Sequence, residues 1–118
     1  MPQTPAELVA EARENVKTCS CDEAAKWLER HPEGRLIDVR EPVEHAADSI
    51  AGSVNIPRGV IEFQIGAACD ATETPILIFC ASGGRSALAA VSLQKLGYSN
   101  VTSVTASFGD LSKLLSDR

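Results

Sequence analysis

Residues 75–87 read PILIFCASGGRSA, and the order of residue types in that stretch decides the fold. Pro75-Ile-Leu-Ile-Phe79 is a continuous apolar run of strand length, apolar at every position rather than at alternate ones, which is the signature of a strand buried on both faces. It meets Cys80, a Gly83-Gly84 pair and Arg85, and then a helical pattern over Ser86–Leu96 with Ala89, Leu93 and Leu96 on one stripe and Gly97 as its stop. A further β-branched run, Asn100–Thr105, follows. Strand, helix and strand of these lengths form a right-handed βαβ unit, and such units build parallel sheets covered by helices on both faces. Ligands in these folds bind beyond the carboxyl ends of the strands, where Cys80 stands.

Outward from that unit, Arg35–Arg40 and Ser53–Pro57 have the same short, β-branched character and are expected to be strands. Thr4-Pro5-Ala6-Glu7 is a capping box with proline at the first helical position, so a helix over roughly residues 5–15 should carry Leu8, Val9, Ala12 and Val16 on one face. Ser20-Cys21-Asp22-Glu23 is a second capping box, opening a helix through Trp27 and Leu28 that the turn His31-Pro32-Glu33-Gly34 closes. Residues 58–74 have room for a helical turn and a loop. No internal repeat or low-complexity segment interrupts the chain.

The 118 residues suffice for one core and hence for one site. A formal net charge of −5, with Lys and Arg dispersed, leaves no basic footprint and argues against nucleic acid or an anionic membrane as partner. The first residues lack both a basic and an apolar leader segment, and a cytoplasmic setting is expected. In that setting Cys19, Cys21, Cys69 and Cys80 read as thiols rather than as a disulfide framework. Their spacing fits no zinc motif, so no metal is expected.

The chemistry concentrates in the loop. Ala81, Ser82, Gly83 and Gly84 are small enough to let successive backbone N–H groups turn inward as a nest at the start of the following helix, with Arg85 adding a permanent charge on its rim. Such a nest favours a thiolate over a thiol at Cys80 and can cradle an anionic group. The competing reading is a small apolar residue that merely ends a buried strand. The Gly-Gly turn at a strand-to-helix junction favours the nucleophile.

Taken together, "LIDVREPVEHAADSIAGSVNIPRG" (36–59), "ILIFCASGGRSA" (76–87) and "LGYSNVTSV" (96–104) resemble, in the same order, the D-x-R-E segment, the x-I-x-G-A-x-N-I-P segment, the active-site strand and loop, and the following segment of rhodanese-like domains. The resemblance implies an α/β sandwich around a central five-stranded parallel sheet, residues 16–118 as the domain with residues 1–15 as a helical extension, and a fifth, edge strand near Val16–Cys19. It also implies a thiosulfate sulfurtransferase type of activity without metal or organic cofactor. Cys80 would take a sulfane sulfur from a small anionic donor such as thiosulfate, carry it as a persulfide in the loop, and yield it to cyanide, a small thiol or a protein thiol. Asp38, Arg40 and Glu41 match the D-x-R-E segment and are expected to fasten the loop, against the alternative of a solvated charge cluster. Arg58 is a candidate for steering an anion, against the alternative of a plain surface arginine.

Two further classes stay open at this stage. Phosphatases of related fold resemble C-x5-R, whereas this chain has C-x4-R, one residue too short to enclose a tetrahedral phosphate in the same way. A non-catalytic binding or redox-sensing module is the other, and the presence of Cys80 weighs against it. His31 and His45 are not expected to act as catalytic bases. The chain departs from the family pattern at Asp48-Ser49 and at Ala106-Ser107 with Leu111. A glycine-only backbone at 106 or 107 would cost about 1–3 kcal/mol in strain, so a different turn is expected there.

Overall fold

The computed structural model describes residues 2–117. Its elements run α1 (Pro5–Asn15), β1 (Lys17–Cys19), α2 (Cys21–Arg30), β2 (Arg35–Asp38), α3 (Pro42–Ala47), β3 (Ser53–Asn55), a 3-10 turn (Arg58–Val60), α4 (Ile61–Ala68), β4 (Ile76–Phe79), α5 (Gly84–Lys95), β5 (Val101–Val104) and α6 (Phe108–Ser116). The strands pair in the order β1-β5-β4-β2-β3, all parallel. The five-stranded sheet and the edge position of β1 are as expected.

β4 lies at the centre because every one of its residues is apolar and buried. Its side chains alternate between two cores. Ile76, Ile78 and Cys80 pack with Ile61, Ile65, Ala89, Ala90 and Leu93 beneath α4 and α5. Leu77 and Phe79 pack on the other face with Ala24, Val104 and Leu111, beneath α2 and α6. A helix on each face lets the strand bury both sides, and Cys80 belongs to the α5 side.

Both expected capping boxes are present: the Thr4 and Ser20 side chains accept from the Glu7 and Glu23 amides, and the glutamates reach back to the cap N–H groups. Gly97 ends α5 with φ +106°, a conformation that favours glycine. Four expectations need adjusting. The strands are shorter than the apolar runs, because their terminal residues pass into turns. The segment after residue 57 holds more helix than a single turn, since Ile61 and Ile65 anchor α4 to the core. α5 starts at Gly84 rather than Ser86, its first turn being made by the glycine loop itself. The short α3 and the whole of α6 are additional.

α6 explains the unusual residues at 106 and 107. No non-glycine residue among those described has positive φ, and Ser107, at φ −70°, caps α6 by accepting from the Asp110 amide. Serine at a helix N-cap contributes about 1 kcal/mol, so this turn carries no glycine-type strain.

Candidate functional site

The loop from Cys80 to Arg85 follows the central strand directly, so the position of Cys80 is fixed by the core. The residue is 1% exposed. Its sulfur accepts from the backbone N–H of Gly83 at 3.0 Å and of Ser86 at 3.4 Å, and its thiol donates to Ser86 Oγ at 3.6 Å. Gly83 makes this possible. It sits at φ +90°, where a Cβ would meet Arg13 Nη2 at 2.7 Å and Thr105 O at 3.0 Å, so both conformation and space call for glycine. Two amides aimed at one sulfur, at the start of α5, stabilise negative charge there.

Behind the sulfur lies a hydroxyl pair. Ser103 donates to Ser86 Oγ at 2.9 Å, and Ser86 has Gly83 O at 3.1 Å and Val104 O at 3.3 Å as acceptors. Both serines are buried, and together they tie the loop to β5. Ser86 lies inside the stretch that set the fold, yet its hydroxyl could be placed only once β5 was known to lie beside it.

The other cysteines are unlike Cys80. Burial, with Glu23 and Cys21 adding to it, pushes the Cys19 thiol up to about 11. Burial, Asp110 and Asp22 raise that of Cys21. Cys69 is buried and directs its thiol to Ala71 O.

Arg85, expected to add a permanent charge on the rim of the nest, is engaged by a carboxylate. Its guanidinium donates to both oxygens of Glu44, in the first turn of α3, at 2.7 and 3.1 Å. Glu44 also accepts from the Glu41 amide, and these bonds hold its carboxyl well down, at about 2 against an ordinary 4.5. The folded value lies below the unfolded one. This contribution to stability is therefore present above pH 4.5 and is lost as pH falls toward 2. Chemical denaturation of the wild type should consequently lose more stability between pH 5 and 3 than that of Glu44→Gln. Parallel curves would show that the pair contributes nothing to folding.

Asp38 and Arg40 form a buried pair rather than direct ties to the loop. Arg40 donates to the Asp38 carboxylate through Nε and Nη2 at 2.8–3.2 Å and through its backbone N–H at 2.9 Å, and Nη2 also donates to Asp48 O at 2.7 Å. His45 Nδ1 lies 2.9 Å from the same carboxylate. The guanidinium stacks 3.8 Å above the Phe108 ring, and the Phe108 N–H donates to Ala81 O at 2.9 Å. The D-x-R-E segment thus reaches the loop through α6. Glu41 caps α3 and is exposed; Glu44, three residues on, is the one that grips Arg85.

Arg58 is not brought to the loop. It pairs with Glu62 at 3.4 Å and lines a cavity of about 610 Å³ between α1 and α5 that contains no residue of the 80–85 loop. Of the two readings offered for Arg58, this placement favours the plain surface arginine over anion steering. Sequence reasoning missed Glu44, Ser103 and Phe108, and weighed His45 only as a base, not as a partner of Asp38. Only Glu44 left a local trace, as the fourth residue of a Glu41-Pro-x-Glu capping pattern.

A buried cysteine, a strand-to-helix turn and amides aimed at sulfur define the class, and the comparisons agree with it. Residues 20–113 match the rhodanese-like domain, and the chain belongs to that family. A thiosulfate:glutathione sulfurtransferase of Saccharomyces cerevisiae is 30% identical over 108 residues, covering 81% of this chain and 78% of that protein. A mitochondrial protein of Schizosaccharomyces pombe, named for thiosulfate sulfurtransferase activity, is 37% identical over 84 residues. That match spans 62% of this chain and only 59% of the relative's length. Among solved structures, a human single-domain sulfurtransferase superposes with TM-score 0.68 at 27% identity, covering 80% of this chain and 94% of that one. A Rhodopseudomonas palustris protein of unknown function, described as a possible tyrosine phosphatase, gives TM-score 0.79 at 28% identity, covering 97% and 96%.

Proposed function

We propose that the protein moves a sulfane sulfur from a donor such as thiosulfate to a thiophilic acceptor through a persulfide on Cys80. The Cys80 thiolate attacks the outer sulfur of thiosulfate. The sulfur–sulfur bond of the donor breaks, sulfite leaves with its electron pair, and the transferred sulfur stays bonded to Sγ. An acceptor, whether cyanide, a small thiol or a protein thiol, then attacks that outer sulfur and returns the thiolate. Each intermediate is anionic, so fixed donors at the sulfur do the work that a general base would do elsewhere. The observation that carries this reading is the pair of backbone N–H groups on Cys80 Sγ. Residues 16–118 would form the transferase domain, working in the cytoplasm with its cysteines reduced.

The likeness to a described possible tyrosine phosphatase favours phosphoester hydrolysis as a second reading. Two features weigh against it here. The loop has four residues between Cys80 and Arg85, and that arginine is already engaged bidentately by Glu44.

Intact-mass analysis after incubation with excess thiosulfate tests the reading. One added sulfur should be found on the peptide containing Cys80 and should disappear on treatment with cyanide or dithiothreitol. No added sulfur, or sulfur located on Cys19 or Cys21, would overturn it.

A further inference from the structure

The arginines that could serve an anion at this site are mostly committed: Arg85 to Glu44, Arg40 to Asp38 and Arg58 to Glu62. Arg13 is the exception. It is exposed, and among the described residues it has neither an ion pair nor a hydrogen bond. It belongs to α1, outside residues 20–113 that match the family.

Its position is specific. Arg13 Nη2 stands 2.7 Å from where a Cβ of Gly83 would be, and Gly83 N is 3.0 Å from Cys80 Sγ. With two intervening bonds of about 1.5 Å each, the free guanidinium nitrogen lies within about 9 Å of the sulfur. Between α1 and the loop runs an open groove of about 350 Å³, lined by Pro5, Ala6, Val9, Arg13, Ser82 and Gly84. Its wall is apolar along the helix and carries one unneutralised cation.

We propose that this groove is the acceptor subsite and that Arg13 selects a low-molecular-weight thiol bearing a carboxylate. The proposal rests on the sulfur-transfer reading given above. A compact inorganic donor needs only the loop amides, whereas an apolar wall ending in a free cation fits a ligand with a short carbon skeleton and an anionic end. A three-carbon thiol carboxylate spans about 5 Å from sulfur to oxygen, which with a hydrogen bond of about 2.8 Å falls within that upper bound of about 9 Å. In the step itself the acceptor sulfur bonds to the outer sulfur of the persulfide. The bond from that sulfur to Cys80 Sγ breaks, its electron pair returns to Cys80, and the acceptor's thiol proton passes to Cys80 or to solvent. The acceptor leaves as its own persulfide, with no external oxidant or reductant.

The test uses the full chain, loaded with sulfur from thiosulfate, desalted, and mixed in single turnovers with 3-mercaptopropionate or with 2-mercaptoethanol. Because wild type and variants are compared on the same thiol, differences in thiol acidity cancel. Arg13→Gln should slow transfer to 3-mercaptopropionate by about three- to fivefold, the upper part of the range for an exposed ion pair, while Arg13→Lys restores most of it. Transfer to 2-mercaptoethanol, and the loading step, should change by less than about twofold in the same variants. Equal slowing with both thiols, or slowing of the loading step alone, would overturn the proposal. If the wild type takes up no sulfur from thiosulfate, the sulfur-transfer reading fails first, and the acceptor assignment falls with it.

Discussion

Cys80→Ser is expected to lose thiocyanate formation from thiosulfate and cyanide by on the order of a thousandfold or more, because the hydroxyl cannot carry the transferred sulfur as a stable anion. The fold should survive. Serine is slightly smaller than cysteine, and the Gly83 and Ser86 amides that meet the sulfur at 3.0 and 3.4 Å would meet a hydroxyl oxygen instead. The far-ultraviolet spectrum and cooperative unfolding therefore serve as controls. Activity equal to the wild type in a folded variant would remove Cys80 from the reaction. The same pair of proteins separates the two chemistries the loop length leaves in contention. Aryl phosphates should be turned over poorly by the wild type, since a loop of this length with Arg85 held by Glu44 does not present donors to three phosphoryl oxygens together. A Cys80-dependent phosphatase rate rivalling sulfur transfer would reverse the assignment.

What could be read from the chain alone follows the distance over which each feature is encoded. β4, the glycine loop and α5 are contiguous, and apolar runs, Gly83-Gly84 and Gly97 mark them locally. The capping boxes at Thr4 and Ser20 are equally local. β1 has three residues, two of them exposed, so it carries no periodicity and came only from the family resemblance. α6 begins where the family pattern has a glycine turn, and its local mark is the cap formed by Ser107 with Asp110 three residues later. α3, with six residues and none buried, has no apolar stripe to show. At the site, local reasoning found the sulfur and its amides. It did not find the partners that approach from elsewhere: Glu44 is 41 residues from Arg85 and Ser103 is 17 from Ser86. Asp38 and Arg40, expected to fasten the loop, bond to one another, and their route to it runs through Phe108.

That route makes Asp38 a sensitive position outside the loop. It is fully buried, and burial by itself would raise its carboxyl. Hydrogen bonds from Arg40 and His45 outweigh the burial, so the net direction is downward and the group is held ionised. Removing it leaves the Arg40 guanidinium, 5% exposed and stacked on Phe108, with a single carbonyl acceptor at Asp48. Truncating one partner of a buried ion pair costs about 3–5 kcal/mol, because the remaining charge stays desolvated without compensation. Asp38→Ala should therefore lower the urea midpoint sharply and the melting temperature by more than about 10 °C for a chain of this size. A shift worth less than about 1 kcal/mol would show that the pair is not structural. The double variant Asp38→Leu with Arg40→Met should recover much of the loss, since an apolar pair of similar volume needs no compensation. Its activity is the sharper readout. His45 docks α3 on Asp38, α3 carries Glu44, and Arg40 supports Phe108 against Ala81. A double variant that regains stability should thus still transfer sulfur more slowly than the wild type. If instead activity returns in proportion to stability, Asp38 and Arg40 hold the fold and have no separate part in positioning the loop.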